Sequence, residues 1–177
     1  TSKDVKFTFE RMFNPATAAK STAYFNMIKG AKDMLDGNAT ELAGFEVVDD
    51  YHFTITLDYA FAPFVKNLGT SYADIFPEDA CTEAGENWGL GTNLIGTGPY
   101  KIQENDDTTK VILVKNEDYH GGDVNLDELQ ILFYDDDQTK LIAYENGDID
   151  LADLNASLLS QYKDKYADEI TAYYPLG

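Results

Sequence analysis

Gly96-Thr97-Gly98-Pro99-Tyr100 is the stretch whose reading decides the fold. Two glycines permit unusual backbone angles, Pro99 stiffens the exit, and Tyr100 brings a packing side chain to the start of a strand. Upstream, Gly91-Thr-Asn-Leu-Ile-Gly96 has the glycine spacing of a phosphate-binding loop. Such a loop needs Lys and then Ser or Thr after its second glycine, to meet phosphate and magnesium. Thr97 and Gly98 stand there instead, and Pro99 lacks the backbone donor that such a loop requires. The turn therefore reads as structural.

Downstream, Tyr100–Gln103 and Lys110–Lys115 read as strands joined through Asp106-Asp107, and the hairpin returns to Asn116-Glu-Asp-Tyr119. Glu128–Tyr134 is another expected strand, and Gln138–Asn146 a helix that Gly147 ends. Gly147-Asp-Ile-Asp150 leads into a strand over Ile149–Ala152, a helix over Ala156–Tyr166 with Asn155 as its cap, and a last strand over Ile170–Tyr174. This hairpin followed by a βαβαβ alternation predicts parallel strand pairs.

Upstream of the turn, Val5, Phe9, Met12 and Phe13 recur at helical spacing. Ser2 is placed to cap that helix, and Asn14-Pro15 to stop it, since the residue before proline avoids the helical region. A second helix is expected over Thr22–Leu35. Strands follow over Phe45–Asp49 and His52–Asp58, with Asp49-Asp50 at the turn. Pro63 opens a short helix over Ala62–Leu68, Pro77 can open a helical turn, and Gly85, Gly89 and Gly91 make a loop around Trp88. Phe7, Phe9, Phe13, Phe53 and Phe133 are assigned to buried faces.

Composition narrows the function classes. The 177 residues are 44% hydrophobic and 25% charged, as in a soluble globular protein. No run approaches the ~20 apolar residues that span a bilayer. A formal charge of −19 repels phosphate backbones, so no nucleic-acid partner is expected, and it also opposes docking on anionic lipid. Cys81 is the single cysteine and reads as a small buried apolar residue, so no disulfide or cysteine metal cluster forms within the chain.

The acidic runs lack the alternation, central glycine and closing Glu of a calcium loop. Asp135-Asp-Asp137 is read as the cap of the helix after it. His52 and His120 are isolated, and no Gly-x-Ser-x-Gly marks a hydrolase nucleophile. Catalytic, metal and cofactor residues are accordingly assigned to none. The rival reading is a small acidic α/β enzyme, hydrolase-like or metal-dependent, that uses pairs among its many carboxylates.

The ordered set Asp4-Val-Lys-Phe-Thr-Phe-Glu-Arg11, Gly96-Thr-Gly-Pro-Tyr100, Asn116-x-x-Tyr119 and Gly147-Asp-Ile-Asp150 resembles the extracytoplasmic solute-binding proteins of family 5. These serve ABC importers of oligopeptides, dipeptides and nickel. The resemblance implies an α/β (mixed α+β) fold, part of a type II periplasmic-binding-protein-like architecture of the peptide-binding subclass. It makes residues 1–95 a lobe II and residues 96–177 part of lobe I, with lobe III absent. It implies capture of a peptide or other small solute and delivery to ABC permease subunits, without catalysis. The ligand wall it implies is Ala152, Asp153, Leu154 and Asn155, with Tyr173 and Tyr174. His120 takes a place where the family has an aromatic residue. The implied location is extracytoplasmic, in the periplasm or lipid-anchored. No leader-like stretch precedes Asp4, so the chain is expected to be a piece of an exported protein. A sheet cut from a larger one is expected to self-associate through its open edges.

Overall fold

α1 (Ser2–Phe13) is the element on which the first half of the molecule packs. The structure is a computed structural model and describes residues 1–171. The cap of α1 is Thr1, whose hydroxyl donates to Asp4 Oδ2 at 2.7 Å, and Ser2 is the first helical residue. Ser2 is buried, its backbone N–H donates to Asp50 O at 2.8 Å, and its hydroxyl meets no hydrogen-bond partner among the described residues, so the capping falls to Thr1. At the other end Asn14 turns to an extended conformation ahead of Pro15, as expected.

The inward face of α1 carries Phe9, Met12 and Phe13 into an apolar cluster with Phe25, Ile28, Met34, Leu42, Phe45 and Phe64. Phe9 meets Phe25 edge to face at 5.3 Å, and Phe25 meets Phe64 in the same way at 6.3 Å.

The expected helix over Thr22–Leu35 is broken. A single 3-10 turn spans Thr22–Tyr24, and α2 covers only Ala31–Leu35. Between them the backbone joins an extended segment: Lys29 N donates to Thr56 O at 3.0 Å, and Asp58 N to Met27 O at 2.9 Å. Gly30, at φ +86°, then makes the corner, with Ala43 against the place a side chain would occupy. Tertiary pairing has thus overridden helical periodicity.

β1 (Phe45–Asp49) and β2 (His52–Ile55) form the expected antiparallel hairpin. Leu57 continues past β2 as a single bridge to Ile28. Phe53 is exposed and stacks on Phe45 at 5.2 Å, and Phe133 is exposed too, so both depart from their expected buried faces. α3 (Phe64–Asn67) and α4 (Glu78–Ala84) follow, and α4 buries Cys81.

The second half carries β3 (Tyr100–Asn105), β4 (Lys110–Lys115) and β5 (Glu128–Leu132), in the order β3-β4-β5 with both pairings antiparallel. Tyr100 faces Lys115, and Leu113 faces Leu129. α5 (Asp137–Asn146) and α6 (Ala156–Tyr162) complete the described elements. The expected parallel pairs do not form among the described residues. Ile149–Ala152 is not a strand; side-chain links to α5 hold the following segment, with no backbone ladder. The helix expected to reach Tyr166 stops at Tyr162 and passes into turns. The strand expected over Ile170–Tyr174 lies for the most part outside the described residues.

The Gly96–Tyr100 turn is held differently from the expectation. Neither Gly96 nor Gly98 has a positive φ, and nothing lies within 4 Å of an added Cβ at either. The constraint comes from buried Asn116, whose side-chain amide donates to Gly98 O and whose backbone N–H donates to Pro99 O, both at 2.8 Å. The chain before the turn is also tied to the β3–β4 turn, since Gly91 N donates to both Asp107 carboxylate oxygens at 2.9 Å.

Candidate functional site

The site residues read from the sequence, Ala152 to Asn155, lie on the segment between α5 and α6. Local chemistry sets both helix starts. Asp136 caps α5, its carboxylate accepting from Thr139 N at 2.8 Å and from Thr139 Oγ1 at 2.7 Å. These bonds, the hydroxyl first, hold the Asp136 carboxyl below its ordinary pKa. Gly147 ends α5 in the left-handed conformation at φ +77°, and Asp148 N closes back on Ala143 O at 2.8 Å. Asn155 caps α6, its Oδ1 accepting from Ser157 N at 2.9 Å and Leu158 N at 3.0 Å.

One polar network ties the two helix starts together. Lys140 Nζ lies 2.9 Å from Asp137 Oδ1 and 2.7 Å from Asp153 Oδ1, and the Asn155 side-chain amide donates to the other Asp137 oxygen. Lys140 is mostly buried, whereas Asp153 is open to solvent. Lys140 holds the Asp153 carboxyl below its ordinary range, and Asp153, followed by Asp137, raises the Lys140 ammonium. Leu151 stands 88% exposed beside this network, and Leu154 is half-buried. The segment thus offers an apolar knob next to a charge cluster in which one lysine faces two carboxylates.

Asp153 and Asn155 are brought into one network, while Ala152 and Leu154 are only half-buried beside it. Tyr173 and Tyr174 lie outside the described residues. Three backbone donors at these helix starts, Thr139 N, Ser157 N and Leu158 N, already serve Asp136 and Asn155.

Sequence reasoning missed Lys140 and Asp137. Their spacing of three on one helix was the available signal. The link to Asp153, thirteen residues further on, has no such signal.

Elsewhere the candidate reactive groups stand apart. His52 Nδ1 pairs with Asp49 at 2.8 Å on the β1–β2 hairpin, and His120 packs on Tyr119 with ring centres 5.1 Å apart. Among the described residues no three His, Cys, Asp or Glu side chains are grouped so as to hold a metal ion. No described helix is long and apolar enough to cross a membrane.

Residues 1–176 match the family described as bacterial extracellular solute-binding proteins, family 5 Middle. The chain is 24% identical to the periplasmic oligopeptide-binding protein OppA of Salmonella typhimurium, over 100% of this chain and 35% of the relative. It is 29% identical to heme-binding protein A of Haemophilus influenzae, over 84% of this chain and 27% of the relative. Among solved structures it is similar to Listeria monocytogenes OppA bound to peptide, with a TM-score of 0.80 and 27% identity, over 93% of this chain and 33% of that one. The fold is therefore that of the OppA-type binding proteins, a mixed α/β architecture. The chain spans between about a fifth and a third of the length of the curated relatives it matches.

Proposed function

The chain belongs to the bacterial extracellular solute-binding proteins of family 5, and on that premise we propose that it is part of a peptide receptor feeding an ABC importer. The single observation carrying this reading is the family match over residues 1–176. The receptor works outside the cytoplasm, in the periplasm or anchored by lipid, and hands its solute to permease subunits. Residues 1–95 form lobe II and residues 96–177 part of lobe I. In support, every member of the large apolar cluster lies between Phe9 and Ala73.

Ala152, Asp153, Leu154 and Asn155 form one wall of the ligand cleft, joined by Tyr173 and Tyr174. A second wall comes from parts of the receptor beyond this chain. The receptor catalyses no reaction. The engagement of Asp136, Asp137 and Asp153 in caps and in the Lys140 network supports this over a small acidic enzyme, since those carboxylates already have partners.

Calorimetry of the complete receptor and of the 177-residue chain against short peptides tests the reading. Solute pockets bury about 70–90% of their ligand, so half a cleft loses most of its contacts. The complete receptor is expected to bind tightly. The chain alone is expected to bind no better than about millimolar, some 4 kcal/mol. Micromolar binding by the chain alone, or hydrolysis of the peptide, would overturn the proposal.

A further inference from the structure

Arg11 is the only arginine in the chain. It lies in the last turn of α1, half-buried, with its guanidinium carbon 5.7 Å from the centre of the Phe76 ring. Among the described residues, seven lysines hold ion pairs with carboxylates. Arg11, among the described residues, holds none, although the chain has 32 acidic residues.

The guanidinium opens on a cleft of about 360 Å³ lined by Arg11, Thr17, Ser21, Tyr72, Asp74 and Phe76. That volume falls within the ~300–1,000 Å³ of small-molecule sites. Asp74 shares the lining without pairing to Arg11. The cleft therefore presents a cation and an anion that do not pair with each other, with hydroxyls and two aromatic rings around them. A guanidinium is a planar fork matched to a carboxylate, and stacking on an aromatic face fixes its orientation. A carboxylate such as Asp74 accepts from an ammonium group.

We infer that this cleft binds a small zwitterion, an α-amino acid with an apolar side chain, its carboxylate on Arg11 and its ammonium toward Asp74. The rings of Tyr72 and Phe76 cover the side chain. The cleft uses none of the residues of the α5–α6 segment, so the inference does not depend on the proposed ligand wall.

Because Arg11 is unique, its Nε–H gives a single side-chain resonance in a ¹⁵N-labelled sample. That resonance is followed while L-phenylalanine, N-acetyl-L-phenylalanine or L-phenylalaninamide is added. Phenylalanine is expected to shift it saturably, the N-acetyl compound to do so more weakly, and the amide to leave it in place. Arg11→Lys keeps the charge and loses the fork, and should weaken phenylalanine binding by about tenfold, read from the Tyr72 amide. Asp74→Asn should erase the preference for phenylalanine over its N-acetyl form. No shift with phenylalanine, or an equal shift with phenylalaninamide, would overturn the inference and leave Arg11 a packing residue. A preference retained in Asp74→Asn would overturn the ammonium contact. Should Arg11→Lys fail to fold, the comparison of the three ligands on the unaltered chain decides.

Discussion

At Gly44 two stretches of backbone pass on either side of one residue. Gly44 N donates to Lys29 O at 2.8 Å, and Thr56 N donates to Gly44 O at 2.7 Å. An added Cβ would stand 2.5 Å from Thr56 O and 3.0 Å from Lys29 O. Backbone cannot yield as a flexible side chain does, so Gly44→Ala is expected to cost more than about 1 kcal/mol. Chemical denaturation measures this, and an unchanged midpoint would mean that the Lys29–Thr56 pairing relaxes freely. Asp106 is another residue set by backbone contacts. It accepts from Thr109 Oγ1 and from the backbone N–H groups of Lys110, Thr109 and Thr108, and these bonds, in that order of weight, depress its pKa. A depressed carboxylate contributes fully above its ordinary value of 3.8 and loses that contribution as pH falls through its folded value. Amide protection at residues 108–110, relative to the intrinsic exchange rate at each pH, should accordingly fall as pH drops below 3.8, and Asp106→Asn should flatten that dependence.

The elements differ in how far their own sequence determines them. α6 begins where its cap predicts, because Asn155 reaches both Ser157 N and Leu158 N. Asn155→Ala is expected to cost about 0.5–2 kcal/mol locally, seen as loss of amide protection at Ser157 and Leu158. Unaltered protection there would transfer the helix start to the Asp137–Lys140 network. α1, α5 and the two hairpins were legible for the same reason: caps, turn residues and alternation all act over a few positions. The helix expected over Thr22–Leu35 was not legible, because Ile28 pairs with Leu57, a partner nearly thirty residues away. Ile149–Ala152 failed from the other side. Its apolar alternation fits a strand, yet among the described residues no neighbouring strand takes it up. In the candidate site, Asp153 and Asn155 could be named from the family resemblance. Lys140, which binds the segment to α5, could not, since a lysine held between two aspartates exists only after the chain has folded.

For the whole molecule, the uneven distribution of apolar burial matters most. The apolar cluster serves residues before the Gly96 turn, while Ile131, Leu132 and Phe133 in and beside β5 stay exposed. β3 and β5 each pair on one side only, with β4, so two strand edges are open among the described residues. The −19 charge opposes contact between copies, but at physiological salt it is screened beyond roughly 8–10 Å. Burial acts at shorter range, so the chain is expected to associate as concentration rises. Light scattering across a dilution series at moderate salt measures this, and a constant monomer mass at the highest concentration would contradict it.

The Asn116 clamp bears on the order in which the chain folds. Asn116 closes on Gly98 and Pro99, and β4 pairs only with its immediate neighbours in sequence. Among the described residues the β3–β4 ladder closes a tight turn and the β4–β5 ladder a longer loop over residues 116–127, and tight hairpins form within ~1–10 μs. The α1 cluster must instead bring Phe9 to Phe45 and to Phe64, across long intervening loops whose closure costs entropy before any contact repays it. The less buried sheet is thus expected to find its β3–β4 pairing before the well-packed helix face settles, in an order that pulse-labelled amide exchange measures.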